Sequence, residues 1–580
     1  MPLVVTLLRL SPSTQWRDDL SVVRGLGMVP VGAEGVVSSV LMQLGALLPL
    51  GGRLLRAALV SAIGLALAGR LVFALAERLL ASNAKSPVLG CLLALAASLT
   101  VSLAPTWQVE GTIAGGATFA AALVFAALLL RPGSAVTDAR VWLGYGALAG
   151  VTALESHAAG AVLLVALVAQ MVATADLPPR RSVILCAVGA VTSASLCLVP
   201  MLVRPLASRA WVDLGYELSS AGIAAVDTAA EQPGALGAWL AEVGVISVGF
   251  ALVGAVWGLL CRRTRWLVAP LAALVAADAV FPASSAGVLA ADALTPVRLC
   301  AVAALAITAA LGVQAVVLAL RKLEVPFARS AAVLIVVFDF TLVVLAAEDS
   351  TFVADRSSQR AAEVWTDEAL GSLPPDSLLL VRSEAIAWRL WAARVVRGER
   401  PDLVVVPLHL IERGSVAKRL LELEPELADL IRDVAISGAP SEYALSTLAD
   451  TRPLYVEIAP SWDERLLDHL IPEALWLRFA PHAVGRSDRL PSLRRGRSAF
   501  ARVLSKARTP QHRDEATLSV LAARAREQAV ALAALGDRTS VADVLGDLSE
   551  IRAEDPFVEQ MQQRLARRSR GRTQMLELLQ

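Results

Sequence analysis

From about Ala57 to Ala347, apolar stretches long enough to cross roughly 30 Å of hydrocarbon recur along the sequence, and after Asp349 charged residues return every few positions. A chain with that break is built for two solvents, and so for at least two domains. The averages over 580 residues, 56% hydrophobic and 18% charged, already exceed the apolar share of a soluble protein. The expectation is a polytopic integral membrane protein with a water-soluble C-terminal part.

Candidate spans lie near 54–76, 87–104, 112–130, 141–155, 158–175, 182–203, 236–260, 266–281, 297–320 and 329–347. The opening MPLVVTLLRL has no basic n-region and no small-residue cleavage site, so it reads as a short first span rather than a signal peptide. Together these make about eleven spans. Segment 36–50 is apolar but short of the roughly 20 residues a span needs, and reads as interfacial or re-entrant.

Basic residues collect on the cytoplasmic side of membrane proteins. If 36–50 does not cross, one set of loops holds Arg78, Lys85, Arg131, Arg140, Arg180, Arg181, Arg262, Arg263, Arg265, Arg321, Lys322 and Arg329. The opposite set is nearly bare apart from Arg53, Arg56, Arg204 and Arg209. The chain is therefore expected to cross a membrane many times with the arginine-rich loops in the cytoplasm. The residues after Leu10, the turn from Trp107 to Glu110, the 204–235 loop and everything after Asp349 lie outside the cytoplasm in this reading.

The C-terminal part alternates strands and helices. SLLLVR (377–382), LVVVP (403–407), PLYVEI (453–458) and LWLRFA (475–480) read as strands, with helices through EAIAWRLWAARVV and VAKRLLELEPELADLI. Strands separated by helices of that length imply parallel βαβ units. From Ala499 the pattern is wholly helical; it resembles helical-hairpin repeats of the TPR kind, without a second copy at a fixed period. The expected division is a transmembrane domain over 1–348, an extracytoplasmic α/β domain over 349–498 and a helical tail over 499–580. The fold class is mainly α, a transmembrane helical bundle with a soluble α/β domain.

A net charge of +1 argues against nucleic-acid binding, which needs a concentrated basic surface. Cys91, Cys186, Cys197, Cys261 and Cys300 all fall in or beside apolar segments, where a thiol behaves as a small hydrophobe. No Cys or His cluster has metal-ligand spacing, no Gly-rich loop opens a helix and no nucleophile elbow is present; no cofactor is expected, and a divalent metal stays open with nothing in the sequence indicating one. What remains are polar residues at the outer ends of spans. Asp18 and Asp19, beside Arg17, follow the first short span, and a partly buried carboxylate there is a candidate general base. Their structural alternative is an acidic pair at a helix end in water. Glu110, after Trp107, begins a span where a carboxylate also favours a helix N-terminus. Glu155 and His157 sit where two spans meet, and an ionisable group there is either a site or a helix-turn contact.

These residues carry a resemblance. TLLRLSPSTQWRDD is similar to the first-span exit of the GT-C glycosyltransferases, and GALLPLGGRLLRAALVSAIGLALAGRL, SLAPTWQVEGTIAGGATFAAALVF and GVTALESHAAGAVLL continue the likeness. The closest likeness is to bacterial multi-pass proteins of a domain of unknown function similar to transmembrane protein O-mannosyltransferases. In LPPDSLLLVRSEAIAWRLWAARVVRGERPDLVVVPLHL, Arg400, Pro401 and Asp402 match the family's Arg-Pro-Asp strand start. The resemblance implies transfer of a sugar from a polyprenyl-phosphate donor, within the lipid bilayer, to an acceptor protein or glycan outside the cytoplasm. It places Asp18 on the catalytic aspartate, with Asp19 beside it, and Glu110 on a second carboxylate. It makes Arg17, Trp107 and His157 candidate substrate contacts; Arg53 and Arg56 are added by position, as phosphate ligands or as snorkelling interfacial arginines. The family's Gly-Glu after the aspartate is Leu20-Ser21 here. A catalytically degenerate GT-C-fold scaffold, binding a partner through its exported domain, is the competing reading.

Overall fold

The protein's architecture is that of a computed structural model describing residues 2–25, 34–81, 87–130, 139–174, 179–202, 235–283, 293–322, 354–566 and 575–579, apart from isolated positions or pairs within them, with scattered positions over 330–345. The chain forms two compact units. The first comprises Met1–Pro12, Arg24–Gly287 and Ala291–Ser358; the second comprises Ser13–Val23, Val288–Ala290 and Gln359–Gln580.

The first unit is helical. In order come α1 (Pro2–Leu8), α3 (Val36–Gly45), α4 (Arg53–Ala81), α5 (Pro87–Leu103), α6 (Pro105–Thr112) and α7 (Thr118–Leu130). They are followed by α8 (Ala139–Glu155), α9 (His157–Thr174), α10 (Arg180–Leu202), α11 (Ala235–Leu260), α12 (Arg265–Val280) and α13 (Thr295–Lys322); α2 (Trp16–Gly25) falls mostly in the second unit. Five stretches are long and apolar enough to cross a membrane: Leu54–Ala81, His157–Thr174, Arg180–Cys197, Ala235–Leu260 and Thr295–Leu320. A sixth is the pair α5 and α6 if counted together, although they bend by 58° at Ala104. About eleven is thus not reached among the described residues. With 13, 17 and 16 residues, α7, α8 and α12 fall below the roughly 20 that span hydrocarbon at a rise of about 1.5 Å each. Of the expected 204–235 loop, residues 204–234 lie outside the described residues, as do scattered positions of the expected span 329–347.

The bundle closes on α13, buried along most of its length, through Leu299, Ile307 and Leu311, with Leu65, Phe125 and Leu271 in the same core. Small residues set the helix approach: a Cβ at Gly254 of α11 would lie 1.9 Å from the Thr308 carbonyl oxygen of α13. Pro105 starts α6 at a position where its missing N–H costs nothing. Gly244, at φ 78°, interrupts α11 in a conformation that suits glycine.

The second unit holds a five-stranded sheet in the order β2-β1-β3-β5-β4, from β1 (Leu378–Val381), β2 (Val404–Pro407), β3 (Leu454–Val456), β4 (Leu470–Glu473) and β5 (Trp476–Phe479). β1 pairs in parallel with β2 and β3, with Leu379 facing Val405 and Tyr455. β5 runs antiparallel to β3 and β4. Around the sheet stand α14 (Ala361–Gly371), α15 (Glu384–Arg397), α16 (Gly414–Leu423), α17 (Ala428–Ser437), α18 (Glu442–Thr451) and α19 (Arg486–Ala507). The chain ends in α20 (Glu515–Ala534), α21 (Arg538–Ile551), α22 (Pro556–Ala566) and a short 3-10 turn. α20 turns into α21 at Gly536, whose φ of 72° is the left-handed conformation glycine permits.

Candidate functional site

The acidic segment after the first apolar stretch folds as α2, inside the second unit. Its first turn explains where the two carboxylates go. Gln15 precedes the helix, and its backbone N–H donates to Asp18 Oδ2 at 2.8 Å, the reciprocal half of a capping box. Asp19, fully buried, lies 3.2 Å from Arg389 Nη1 of α15. Asp18 is also buried and Arg17 is half-buried. The Asp19–Arg389 contact joins residues 370 positions apart and the Trp16–Thr517 hydrogen bond joins residues 501 apart. Groups in direct contact cannot lie on opposite faces of a bilayer, so segment 13–23 and residues 359–580 share one side.

Glu110 lies in the first unit, on α6, and is buried. Its Oε2 accepts the Ala117 N–H at 3.0 Å, which places a carboxylate at the N-terminus of α7, where the helix dipole favours negative charge. The turn between them is tight: a Cβ at Gly116 would sit 1.9 Å from the Glu110 carbonyl oxygen. Trp107 is fully buried against Phe125, ring centroids 6.5 Å apart. The remaining ties on α6 are polar. Arg9 Nη1 donates to Gln108 Oε1 at 3.0 Å, and Arg356 Nη1 donates to the Thr112 carbonyl at 3.1 Å. Thr106 donates to Glu242 of α11 through its N–H at 3.2 Å and through its hydroxyl.

Glu155 is buried and accepts the N–H groups of Val37 at 2.9 Å and Ser38 at 3.0 Å, the start of α3. His157 Nδ1 lies 3.0 Å from Glu34, and the Glu34 carboxylate also accepts the His157 N–H at 2.9 Å. Arg56 donates to the Leu48 carbonyl at 2.9 Å, and the Arg53 side chain is outside the description. Asp18, Asp19 and Arg17 are thus brought together in the second unit, and Glu110 and Trp107 on α6 in the first. His157 stands with Glu155 at the α8–α9 junction.

Several polar groups were invisible to sequence reasoning. Asp278, fully buried on α12, accepts from Arg298 Nε at 2.7 Å and from Trp239 Nε1 at 2.6 Å. Each comes from a different helix, so only an Asp inside an apolar run signalled the cluster. In the second unit Glu457, just past β3, accepts the N–H groups of Arg382 at 2.7 Å and Ser383 at 2.6 Å at the start of α15. Arg524 of α20 reaches Glu457 and Glu527, each at 2.8 Å. Among the described residues no group of three His, Cys, Asp or Glu side chains could hold a metal ion.

A recurring chemistry emerges: Asp18, Glu110, Glu155, Glu242 and Glu457 each meet the backbone N–H groups that a helix leaves unpaired at its start. A carboxylate oriented in this way can accept a proton from a hydroxyl brought within about 3 Å.

No family model and no curated protein matches the chain. Among solved structures, ArnT from Cupriavidus metallidurans bound to undecaprenyl phosphate is similar at 14% identity and a TM-score of 0.48, over 78% of this chain and 91% of that one. The Archaeoglobus fulgidus oligosaccharyltransferase in its apo form is similar at 14% identity and a TM-score of 0.45, over 79% of this chain and 65% of that one.

Proposed function

We propose that the protein is a membrane glycosyltransferase that moves a sugar from a polyprenyl-phosphate donor to a hydroxyl of an acceptor protein or glycan, at the extracytoplasmic face of a bacterial inner membrane. The observation that carries the reading is the acidic segment: the Trp16–Asp19 stretch, which bears the GT-C resemblance, emerges from an apolar segment and folds, buried, into the water-soluble unit. A carboxylate that follows an apolar segment along the chain suits a donor carried in lipid and an acceptor hydroxyl carried in water. The arginine-rich loops support that side, since Arg180, Arg181, Arg262, Arg263 and Arg265 favour the cytoplasm.

In this mechanism Asp18 takes the proton of the acceptor hydroxyl. The oxygen attacks the anomeric carbon, the bond from that carbon to the phosphate oxygen breaks, and the polyprenyl phosphate leaves with the electron pair. The Gln15 N–H held by Asp18 Oδ2 orients the base. The resemblance gives Glu110 and His157 supporting polar roles, and position along the sequence offers Arg17, Arg53 and Arg56 as donor contacts; Trp107, fully buried against Phe125, is not available as one. An O-mannosyltransferase-like choice of acceptor belongs to the same proposal.

The test is transfer of a labelled sugar from a polyprenyl-phosphate donor by the full chain in membranes. Asp18→Asn should lower turnover by about 100-fold or more while insertion is unchanged. Wild-type turnover by that variant removes the mechanism. It would favour the scaffold reading, which has its own support: helix capping gives Asp18 and Glu110 structural work without any chemistry.

A further inference from the structure

We infer that Arg389 is a positioning residue, through which the water-soluble unit holds the acidic segment in its working geometry; this rests on the reading of Asp18 as the base. The guanidinium is 1% exposed, and its hydrogen bonds point at that segment and at its support. Nη1 donates to the Thr14 carbonyl at 2.5 Å, to the Thr14 hydroxyl at 2.8 Å and to Asp19 at 3.2 Å. Nε donates to the Thr366 hydroxyl of α14 at 2.7 Å. One planar cation thus fixes the residue two before the helix start and the fourth residue of α2, with Asp18 between them.

Aromatic packing sets the remaining freedom. Trp16 lies edge-on to Trp365 with centroids 4.9 Å apart, beneath the Arg389 guanidinium at 5.7 Å, and its Nε1 donates to Thr517 at 2.9 Å. The Gln15 side chain donates to the Gln359 carbonyl at 3.0 Å. The neighbouring helices α14 and α15 and the distant α20 therefore clamp one turn. A buried cation costs too much desolvation to be kept as filler, and lysine could not make the same planar fork. The consequence is that the soluble unit is part of the site's geometry, which separates this arrangement from a tethered module that only binds a partner.

The experiment uses the full chain in detergent, comparing Arg389→Ala, Arg389→Lys and Thr517→Val. Hydrogen exchange is read at 14–23 and, as a control, at β1 and β3. Arg389→Ala should speed exchange at 14–23 by roughly 100-fold, leave the strands protected, and lower kcat with little change in donor KM. Arg389→Lys should recover part of both. Thr517→Val removes the acceptor for Trp16, and with it the hydroxyl that donates to the half-buried Asp514, but leaves Arg389 with all its partners; it should speed exchange by roughly tenfold, and it carries the test where Arg389→Ala does not accumulate folded. Unchanged exchange at 14–23 in all three overturns the inference. So does loosened exchange with wild-type kcat, provided Asp18→Asn abolishes transfer. If Asp18→Asn transfers normally, it is the assignment of the base that fails.

Discussion

Arg524 Nη1 lies 2.8 Å from Glu457 Oε1, with neither side chain more than 3% exposed. The contact occupies a particular place in the sheet. β1 leads to β2 on one side, while β3 lies on the other, so the crevice beyond the carboxyl ends of β1 and β3 is a topological switch point, where open α/β sheets take ligands. Here the crevice is filled from within. The Glu457 carboxylate sits on the N–H groups that begin α15, and α20 closes over it with Arg524 and Glu527.

Arg524→Met should therefore destabilise the soluble unit strongly, by about 3–5 kcal/mol, because it leaves the buried Glu457 carboxylate without its cation and Glu527 without its partner. Denaturant unfolding of the full chain in detergent, followed by tryptophan fluorescence, reads the loss. Adding Glu457→Gln and Glu527→Gln should restore much of it, since the amide oxygen that Glu457→Gln introduces can still accept the N–H groups at the start of α15. A triple variant no more stable than Arg524→Met would show that packing, not charge, dominates the cluster.

Stability of this unit should also fall as pH rises from about 5 to 8. Burial, together with the nearby Glu457 charge, raises Glu527 from its ordinary 4.5 to about 8, against the opposing pull of Arg524 and Arg382. The folded state then holds a proton that the unfolded state has released, so unfolding becomes easier through that window, by at most about 1.4 kcal/mol per pH unit for one proton. Above about 8 the dependence flattens. Glu527→Gln should remove the slope, and a slope that persists in that variant belongs to another group.

Much of the soluble unit is legible in the sequence because its strands are short apolar runs between helices with clear amphipathy. SLLLVR, LVVVP, PLYVEI and LWLRFA contain β1, β2, β3 and β5. β4 is not, because Leu470–Glu473 carries Pro472, which suits an edge strand and breaks the usual strand signature. The helix expected through VAKRLLELEPELADLI is two, parted at Pro425. In the lipid-facing unit apolar composition locates helices without fixing their length, which is why α5 and α6 break at Ala104 and α11 breaks at Gly244 within apolar runs. Of the site, the carboxylates were visible as isolated acids beside apolar segments. Arg389, Arg524 and Arg298 were not, since a lone arginine in a helix announces no partner hundreds of residues away.

The Arg-Pro-Asp stretch makes a separate prediction. Arg400 stands at φ 42°, a left-handed conformation unusual for a side-chain-bearing residue. Its guanidinium holds Asp402 at 2.8 Å and the carbonyls of Leu370, Leu373 and Pro374 at 2.7–2.8 Å, while Asp402 accepts the Asp376 N–H. The pairing lowers the Asp402 carboxyl to about 2. Its contribution is thus lost only as pH drops below the ordinary aspartate range toward 2, clear of the Glu527 window. This is a knot that fixes the entry to β1, and Arg400→Ala should cost about 2 kcal/mol in the same unfolding measurement with no change in donor KM. A selective KM effect would instead place the motif at substrate.

Glu110 separates structure from chemistry in the membrane unit. Its Oε2 caps the start of α7 through Ala117, a role an amide oxygen can fill. Glu110→Gln should hold the thermal midpoint of the detergent-solubilised protein near wild type. Glu110→Ala leaves a buried N–H without its acceptor and should destabilise by about 1–3 kcal/mol. Transfer activity then divides the two roles: a supporting carboxylate loses its negative charge in Glu110→Gln, and turnover should fall by roughly tenfold or more despite an intact fold. If Glu110→Gln turns over as wild type while Glu110→Ala is merely less stable, Glu110 serves the helix alone and the chemistry rests on the α2 segment.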